Sequence, residues 1–338
     1  MNFCKKCGLE EGYPDLVLDE NGVCNYCSFY EKNKSMLTDF PHLEEKFIQI
    51  IQRAKMQAQT KGAAYDCLVG FSGGKDSTYV IWKLKNTYHM RILAFTYDNG
   101  FQTEYGRQNI KKSLEKLDVD YISFTPSHDK FKSLTYKAAF TYNHFCTVCF
   151  AQMHYYSLLL AKEKNIPIII NGRSRGQVLQ RALDTEYLEP FQETWGLHQF
   201  THQMLKKAEP KMLEEIERED ARVISDAPEI QMLSYFMYHP YDVETIISEL
   251  RESLNWKQPE VGQKHPDCSA HDIAEYFHLC QHSYPQSAGE MAVEVREGMR
   301  DLKETQKRLS EDVEKYQNIN PERIDEFKKE IYGYEYKK

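Results

Sequence analysis

The stretch Gly70-Phe71-Ser72-Gly73-Gly74-Lys75-Asp76-Ser77 sets two adjacent glycines, two hydroxyls, one ammonium and one carboxylate between an apolar run and a helical pattern. Glycine lets consecutive backbone amides turn toward a ligand with no side chain in the way, while hydroxyls and a lysine add donors and positive charge. A phosphate group suits such a set. The spacing differs from the GxxxxGK phosphate loop, because Gly73 and Gly74 directly precede Lys75. Asp76 fits two roles, organising Mg²⁺ or capping the helix that follows.

Two sets of cysteines carry further chemistry. Cys4, Cys7, Cys24 and Cys27 form two CxxC pairs separated by sixteen residues, the spacing by which four thiolates surround Zn²⁺ tetrahedrally. Four protein thiolates leave no position for a substrate, so the expected role is structural; a rubredoxin-like iron fits the same spacing. The second set is Cys146 and Cys149 in HFCTVCF, just before a predicted helix, where a helix N-terminus favours thiolate. A pair alone fits metal ligation, a redox couple or ordinary packing. Cys268 lies beside the turn-formers Pro266 and Asp267 at a helix start, whereas Cys280 within a helical pattern and Cys67 within a strand read as buried structural thiols. His144 fits a base beside Cys146 or an ordinary surface residue.

These residues need a scaffold, and the pattern supplies one. From residue 66 the chain alternates: DCLVGFS as strand, STYVIWKLKN as helix, RILAFTYD as strand, EYGRQNIKKSLEKL as helix, DYISFTP as strand. A helix over roughly 150–164 then leads into the apolar IPIIING. Alternation of this kind predicts an α/β fold with a parallel sheet covered by helices, and the phosphate-type loop falls at a strand-to-helix junction, where helix N-termini meet anions. Residues 1–35 read as a small cysteine module, 36–60 as a linker helix, 61–205 as the nucleotide domain and 206–338 as a mostly helical region in which strand signals fade. There VETIISELRESL places Val243, Ile246, Ile247 and Leu250 on one face, and REGMRDLKETQKRLSEDVEKYQ reads as a solvated or packing helix because both charge signs are mixed. FQETWGLHQFTHQ fits a substrate cleft or plain packing.

SGGKDS in this setting resembles the pyrophosphate-binding loop of the PP-loop ATP pyrophosphatases, the superfamily of GMP synthetase and the tRNA thiolation enzymes, over roughly residues 60–180. The resemblance implies ATP cleavage between the α and β phosphates with Mg²⁺, AMP being placed on a substrate oxygen. It implies that Ser72, Gly73, Gly74, Lys75, Asp76 and Ser77 hold pyrophosphate, that Tyr97, Asp98 and Asn99 lie where the family holds adenine, and that Gly172 and Arg173 contact the phosphates. HFCTVCFAQMHYYSLLLAKEKNIPIIING resembles thiolation enzymes of the 2-thiouridine and 2-thiocytidine type. That likeness implies a 4Fe-4S cluster on Cys146, Cys149 and a third cysteine, Cys268 being the candidate, with one iron left open for the sulfur that displaces AMP. The layout NFCKKC, DENGVCNYC, helix, PP-loop is also similar to N-acetyl sugar amidotransferases, which would substitute nitrogen using ammonia from a separate glutaminase. A nucleotide or metal sensor without catalysis is the third reading.

Composition sets the outer bounds. The chain has 338 residues, 41% hydrophobic and 28% charged, as in ordinary globular proteins, with no apolar run long enough to span a membrane. MNFCKKCG lacks the apolar stretch of a secretory signal, so the nine cysteines are expected in a reducing cytoplasm, not in a disulfide framework. A net charge of −8 gives no global attraction to nucleic acid. A small molecule or a tRNA remains open as the acceptor, together with a sulfur donor as partner and a homodimeric state.

Overall fold

Five parallel strands form one sheet in the order β3-β2-β1-β4-β5 in the computed structural model, which describes residues 2–142, 145–183, 214, 230–257 and 268–332. The strands are β1 (Cys67–Gly70), β2 (Ile92–Tyr97), β3 (Asp120–Phe124), β4 (Ile168–Asn171) and β5 (Gln231–Ser234). Period-two alternation of side chains explains the layering. Cys67, Val69, Ile92, Ala94, Ile168, Ile170 and Leu233 join one hydrophobic cluster. Leu68, Leu93, Phe95, Ile169 and Met232 join another on the opposite face. A strand buried on both faces has to be largely apolar, which is why β1, β2 and β4 read as apolar runs.

Among the described residues the α-helices are α1 (Asn25–Thr38), α2 (Phe40–Thr60), α3 (Lys75–Asn86), α4 (Glu104–Leu117), α5 (His128–Lys137), α6 (Phe145–Glu163), α7 (Arg175–Leu179), α8 (Val243–Leu254), α9 (His271–Leu279), α10 (Ala288–Arg296), α11 (Leu302–Gln317) and α12 (Pro321–Tyr332). The fold class is the expected one: a parallel α/β sheet, a four-cysteine N-terminal module and a largely helical C-terminal part. Helix α2 packs into the cluster on the first sheet face through Leu43, Phe47, Ile51 and Ala54. The N-terminal module is tied by bridges between Phe3 and Glu10 and between Leu18 and Cys24. It buries Leu9, Tyr13 and Tyr26 against Tyr284, Ala288 and Ala292.

Four expectations need correction. The C-terminal region contributes a strand, β5, parallel to β4 from Ile168–Gln231 to Asn171–Ser234; four residues of mixed polarity are too short to show a period. Cys280 is exposed, because α9 ends at Leu279 and Cys280 serves as its C-cap. Val243 is exposed at the first position of α8, beyond the contact made by Ile246 and Leu250. The charged C-terminal pattern does not run as one helix: Gly298 adopts φ +74°, and α11 restarts after Asp301, which accepts from the Lys303 and Glu304 amides. His144, FQETWGLHQFTHQ and the 205/206 boundary lie outside the described residues.

Candidate functional site

Strand β1 is followed in the sheet by β2 on one side and β4 on the other, so the strand order reverses between β1 and β4. In open parallel sheets, ligands sit beyond the strand C-termini at such a reversal. The loops leaving β1 and β4 meet there. A Cβ added to Gly172 would lie 3.0 Å from the Asp76 carbonyl carbon and the Ser77 amide nitrogen, so the β4 loop rests directly on the start of α3.

The β1 loop is shaped from several directions. Gly73 has φ +78°, and a Cβ there would sit 2.8 Å from the Gly106 carbonyl and 2.9 Å from Ile110, so glycine is required twice over. The Gly73 carbonyl accepts from Asn109 Nδ2 and Trp256 Nε1, both at 3.4 Å. Gly74 is the N-cap of α3 and offers no side chain to that helix end. Ser72 and Ser77 hydroxyls lie 3.3 Å apart, and Ser72 Oγ accepts from the Gly74 amide at 3.3 Å. Lys75 Nζ donates to Asp76 Oδ2 at 2.7 Å and to Tyr241 Oη at 2.9 Å. Burial works to lower the Lys75 pKa, but Asp76 and Tyr241 outweigh it and the net shift is upward, so the ammonium stays charged.

Two buried polar atoms at this meeting point have no hydrogen-bond partner: Asp76 Oδ1 and Asn171 Nδ2. Asn171 Oδ1, in contrast, accepts from Ser234 Oγ at 2.7 Å and from the Arg173 amide at 3.1 Å. An orphaned carboxylate oxygen on one loop and an orphaned amide donor on the other fit a cation and a phosphate oxygen. Arg173 sends Nη2 to the Gln177 carbonyl at 2.6 Å and stacks over Phe150 at 5.2 Å, which links this loop to α6.

The end of β2 departs from a simple purine edge. The Tyr97 ring packs beside the paired rings of Phe124 and Tyr156, and its hydroxyl donates to Gln152. Asp98 Oδ1 accepts from the Gly100 amide at 2.9 Å. Asn99 Oδ1 accepts from Phe101 N at 2.9 Å, and Asn99 Nδ2 donates to Cys149 Sγ at 2.7 Å. The same loop holds Cys268, through a bridge with Gln102 and a Ser269 amide donating to the Phe101 carbonyl at 2.8 Å.

One loop thus brings Cys149 and Cys268 together, and both pack on one hydrophobic cluster with Phe101 and Phe131. Cys146 and Cys149 fall in the first turn of α6, which follows a π-helical turn at Ala138–Tyr142. A lowered thiol pKa was expected there, but burial pushes Cys149 up to about 12, against the lowering effect of Asn99. The Cys146 thiol is raised by the protein around it and then by Cys149, Cys268 and Glu275. Cys146 is itself exposed to solvent.

The N-terminal set differs. Cys4, Cys7, Cys24 and Cys27 are buried, with all four sulfurs within 4.8 Å of one another. Cys4–Cys27 and Cys7–Cys24 separations are 3.8 and 3.6 Å, close to the ~3.8 Å edge of a tetrahedron with 2.3 Å Zn–S bonds. All nine cysteines are free thiols. Arg296 donates from Nε to Cys27 Sγ at 3.4 Å and from Nη2 to Cys7 Sγ at 3.5 Å, a cation placed where four thiolates leave excess negative charge around a divalent ion.

Asn171, Ser234, Tyr241, Trp256, Asn109 and Arg296 were not singled out from the sequence. Asn171 carried a signal, as the polar residue ending the apolar IPIII run; the others reach the site from distant segments.

No family model matches the chain and no curated protein matches it. Among solved structures it is similar to the U34-tRNA thiolase NcsA from Methanococcus maripaludis with its 4Fe-4S cluster, at 13% identity and a TM-score of 0.39, covering 92% of this chain and 89% of that one. It is also similar to the NMN synthetase from Francisella tularensis, at 14% identity and a TM-score of 0.31 over 71% of this chain and 94% of that one. A third is the NH3-dependent NAD synthetase from Campylobacter jejuni, at 13% identity and a TM-score of 0.32 over 67% and 100%. No described helix is long and apolar enough to cross a membrane.

Proposed function

We propose that the chain is a PP-loop ATP pyrophosphatase that adenylates an acceptor oxygen and then replaces it with sulfur. The observation that carries this reading is the meeting of the β1 and β4 loops at the sheet reversal, with orphaned Asp76 Oδ1 and Asn171 Nδ2 at the junction. The acceptor oxygen attacks the α-phosphorus of ATP, the bond to the bridging oxygen breaks, and pyrophosphate leaves. Amides around Gly73 and Gly74, the Ser72 and Ser77 hydroxyls and the Lys75 ammonium receive that departing charge. Asp76 would hold Mg²⁺, and Asn171 with Arg173 would contact the phosphates from the β4 side. The purine would lie along the β2 end near Tyr97 and Asp98. In the second step a sulfur nucleophile forms a bond to the acceptor carbon, and AMP departs with the original oxygen.

Cys146, Cys149 and Cys268 would hold a 4Fe-4S cluster. They feel one another's charge but do not converge on one point as the N-terminal four do, among the described residues. When bound, a cluster with one iron lacking a protein ligand supplies a place for the sulfur. Asn99 would donate to Cys149, and the Gln102 bridge would keep Cys268 within reach. Cys4, Cys7, Cys24 and Cys27 would hold Zn²⁺ as a closed structural centre.

Pyrophosphate release with candidate acceptors, together with iron and acid-labile sulfide analysis after anaerobic purification, tests the reading. The expected result is acceptor-dependent pyrophosphate and roughly four irons per chain, the content of one such cluster. A colourless, iron-free and fully active preparation would replace sulfur by nitrogen as the incoming group. ATP binding with no pyrophosphate from any acceptor would leave a sensor.

A further inference from the structure

Helix α10 touches both the four-cysteine module and the β4–α7 loop, and it does so through neighbouring residues that turn to the two sides. Toward the loop, Ser174 Oγ donates to Glu290 Oε1 at 2.6 Å. Ser174 is itself the N-cap of α7 in a capping box with Gln177. A Cβ on Gly176 would lie 2.6 Å from Glu290 Cγ and 2.9 Å from its carbonyl oxygen, so the two helices meet backbone to backbone. At the C-cap, Glu297 receives Arg175 Nε at 2.8 Å and Nη2 at 2.7 Å; these side chains are 1% and 7% exposed. Arg175 also donates to the Leu37 carbonyl at 2.9 Å.

Toward the module, the residue between those contacts, Arg296, donates to Cys7 and Cys27. Gly289 sits so close to the module that a Cβ there would overlap the Tyr13 hydroxyl. That hydroxyl continues to α7, donating to the Gln180 carbonyl at 3.1 Å. The module therefore reaches α7 twice, once directly and once through α10.

We propose that α10 couples metal occupancy of the four-cysteine module to the grip of the Asn171–Ser174 loop on nucleotide phosphates, with Glu290 and Glu297 as positioning residues and Arg296 as the link to the metal. The proposal rests on the reading of that loop as a phosphate contact. Four thiolates around a divalent cation carry net negative charge and hold Arg296 against Cys7 and Cys27. Without the cation nothing holds the four sulfurs to one point, and Arg296 loses the fixed pair of partners, Cys7 and Cys27, that it spans. Arg296 then no longer fixes the end of α10, and the neighbouring Glu297 loses its hold on Arg175 at the start of α7. Asn171 and Arg173 lie immediately upstream; Ser234, Gln177 and Phe150 hold them as well, so α10 adds to those anchors. Two sites joined by one packed element couple in this way, typically by roughly 5–150-fold.

The test uses the full chain purified with its metal. ATP affinity is measured by titration calorimetry, metal content by elemental analysis, and amide exchange over residues 171–180 by mass spectrometry. Wild type is compared before and after chelation in reductant, alongside Arg296→Met, Glu290→Ala and Glu290→Gln. Chelation and Arg296→Met are each expected to weaken ATP binding about tenfold and to speed exchange over 171–180. Glu290→Ala should do the same with metal content unchanged, and Glu290→Gln, which keeps an acceptor oxygen for Ser174, should restore tight binding. The Glu290 pair gives an answer even where chelation unfolds the chain. Unchanged affinity and exchange in Arg296→Met, or in Glu290→Ala, would overturn the coupling. Failure of metal-loaded wild type to bind ATP at all would instead remove the nucleotide reading on which the coupling stands.

Discussion

The two thiol sets differ in convergence, and burial follows that difference. The N-terminal four are buried and gathered within 4.8 Å, with an arginine on two of the sulfurs. Cys146 is exposed, Cys149 and Cys268 are half-buried, and an asparagine amide faces Cys149. A set closed on one point can hold an ion but cannot offer it to a substrate; a set that is spread and solvent-facing can present a bound group outward. Under the proposed function the same residue type would serve stability in one place and chemistry in the other. What separates the two is the frame: short bridges and a helix start draw the first set inward, whereas the second is assembled from α6 and the segment before α9 by the loop after β2.

The widest separation between the sets should appear in stability. Cys7→Ser removes one of four converging ligands, and structural zinc contributes on the order of 10 kcal/mol in small zinc domains. We expect thermal unfolding to shift down by about 10 °C or more, with loss of bound metal. Cys146→Ser, at an exposed position, should move the transition by no more than about 2 °C. Equal shifts in calorimetry would abolish the distinction between a structural and a working set.

Activity should separate the sets in the opposite direction. Cys146→Ala is expected to keep acceptor-dependent pyrophosphate release within about twofold of wild type while ending sulfur incorporation, measured by mass spectrometry of the acceptor. Lys75→Ala should lower pyrophosphate release by about 10²–10³-fold, the usual cost of removing a donor to developing charge. If Cys146→Ala left the transferred sulfur unchanged, the second set would have no part in the reaction.

Much of this arrangement was legible from local spacing. CxxC pairs announce a four-thiolate site because each pair spans one tight turn, and the glycine–lysine run announced its strand–helix junction because the apolar period changes there. The partners that finish the site were not legible. Tyr241 reaches Lys75 across 166 positions and Trp256 reaches Gly73 across 183, so sheet order decides their meeting. Strand β5 was missed for a related reason: its four residues acquire meaning only when Ser234 is seen against Asn171. Asn99 was read as part of a purine edge, yet its amide is spent on Cys149, which only the position of α6 reveals.

The smallest effect is also the finest probe of the second set. In metal-free protein carrying Cys146→Ser, iodoacetamide labelling of Cys149 can be followed on its own peptide by mass spectrometry, apart from exposed Cys280. Burial pushes the Cys149 thiol up to about 12, so near pH 8 only ~1 in 10,000 molecules holds the thiolate, against about a quarter for a free thiol of pKa 8.5. Labelling should therefore be slow and rise tenfold per pH unit up to at least pH 11, without the plateau that a free thiol reaches above pH 9. The sign for stability follows. A thiol whose folded pKa is raised contributes fully below the unfolded value, about 8.5–9, and that contribution is lost as pH climbs toward 12. Asn99 works against burial by donating to the sulfur, so Asn99→Ala should slow labelling further, by no more than about tenfold, the worth of one hydrogen bond. A plateau near pH 9, or faster labelling in Asn99→Ala, would mean that the amide does not face the thiolate and that the β2 loop does not hold this set in place.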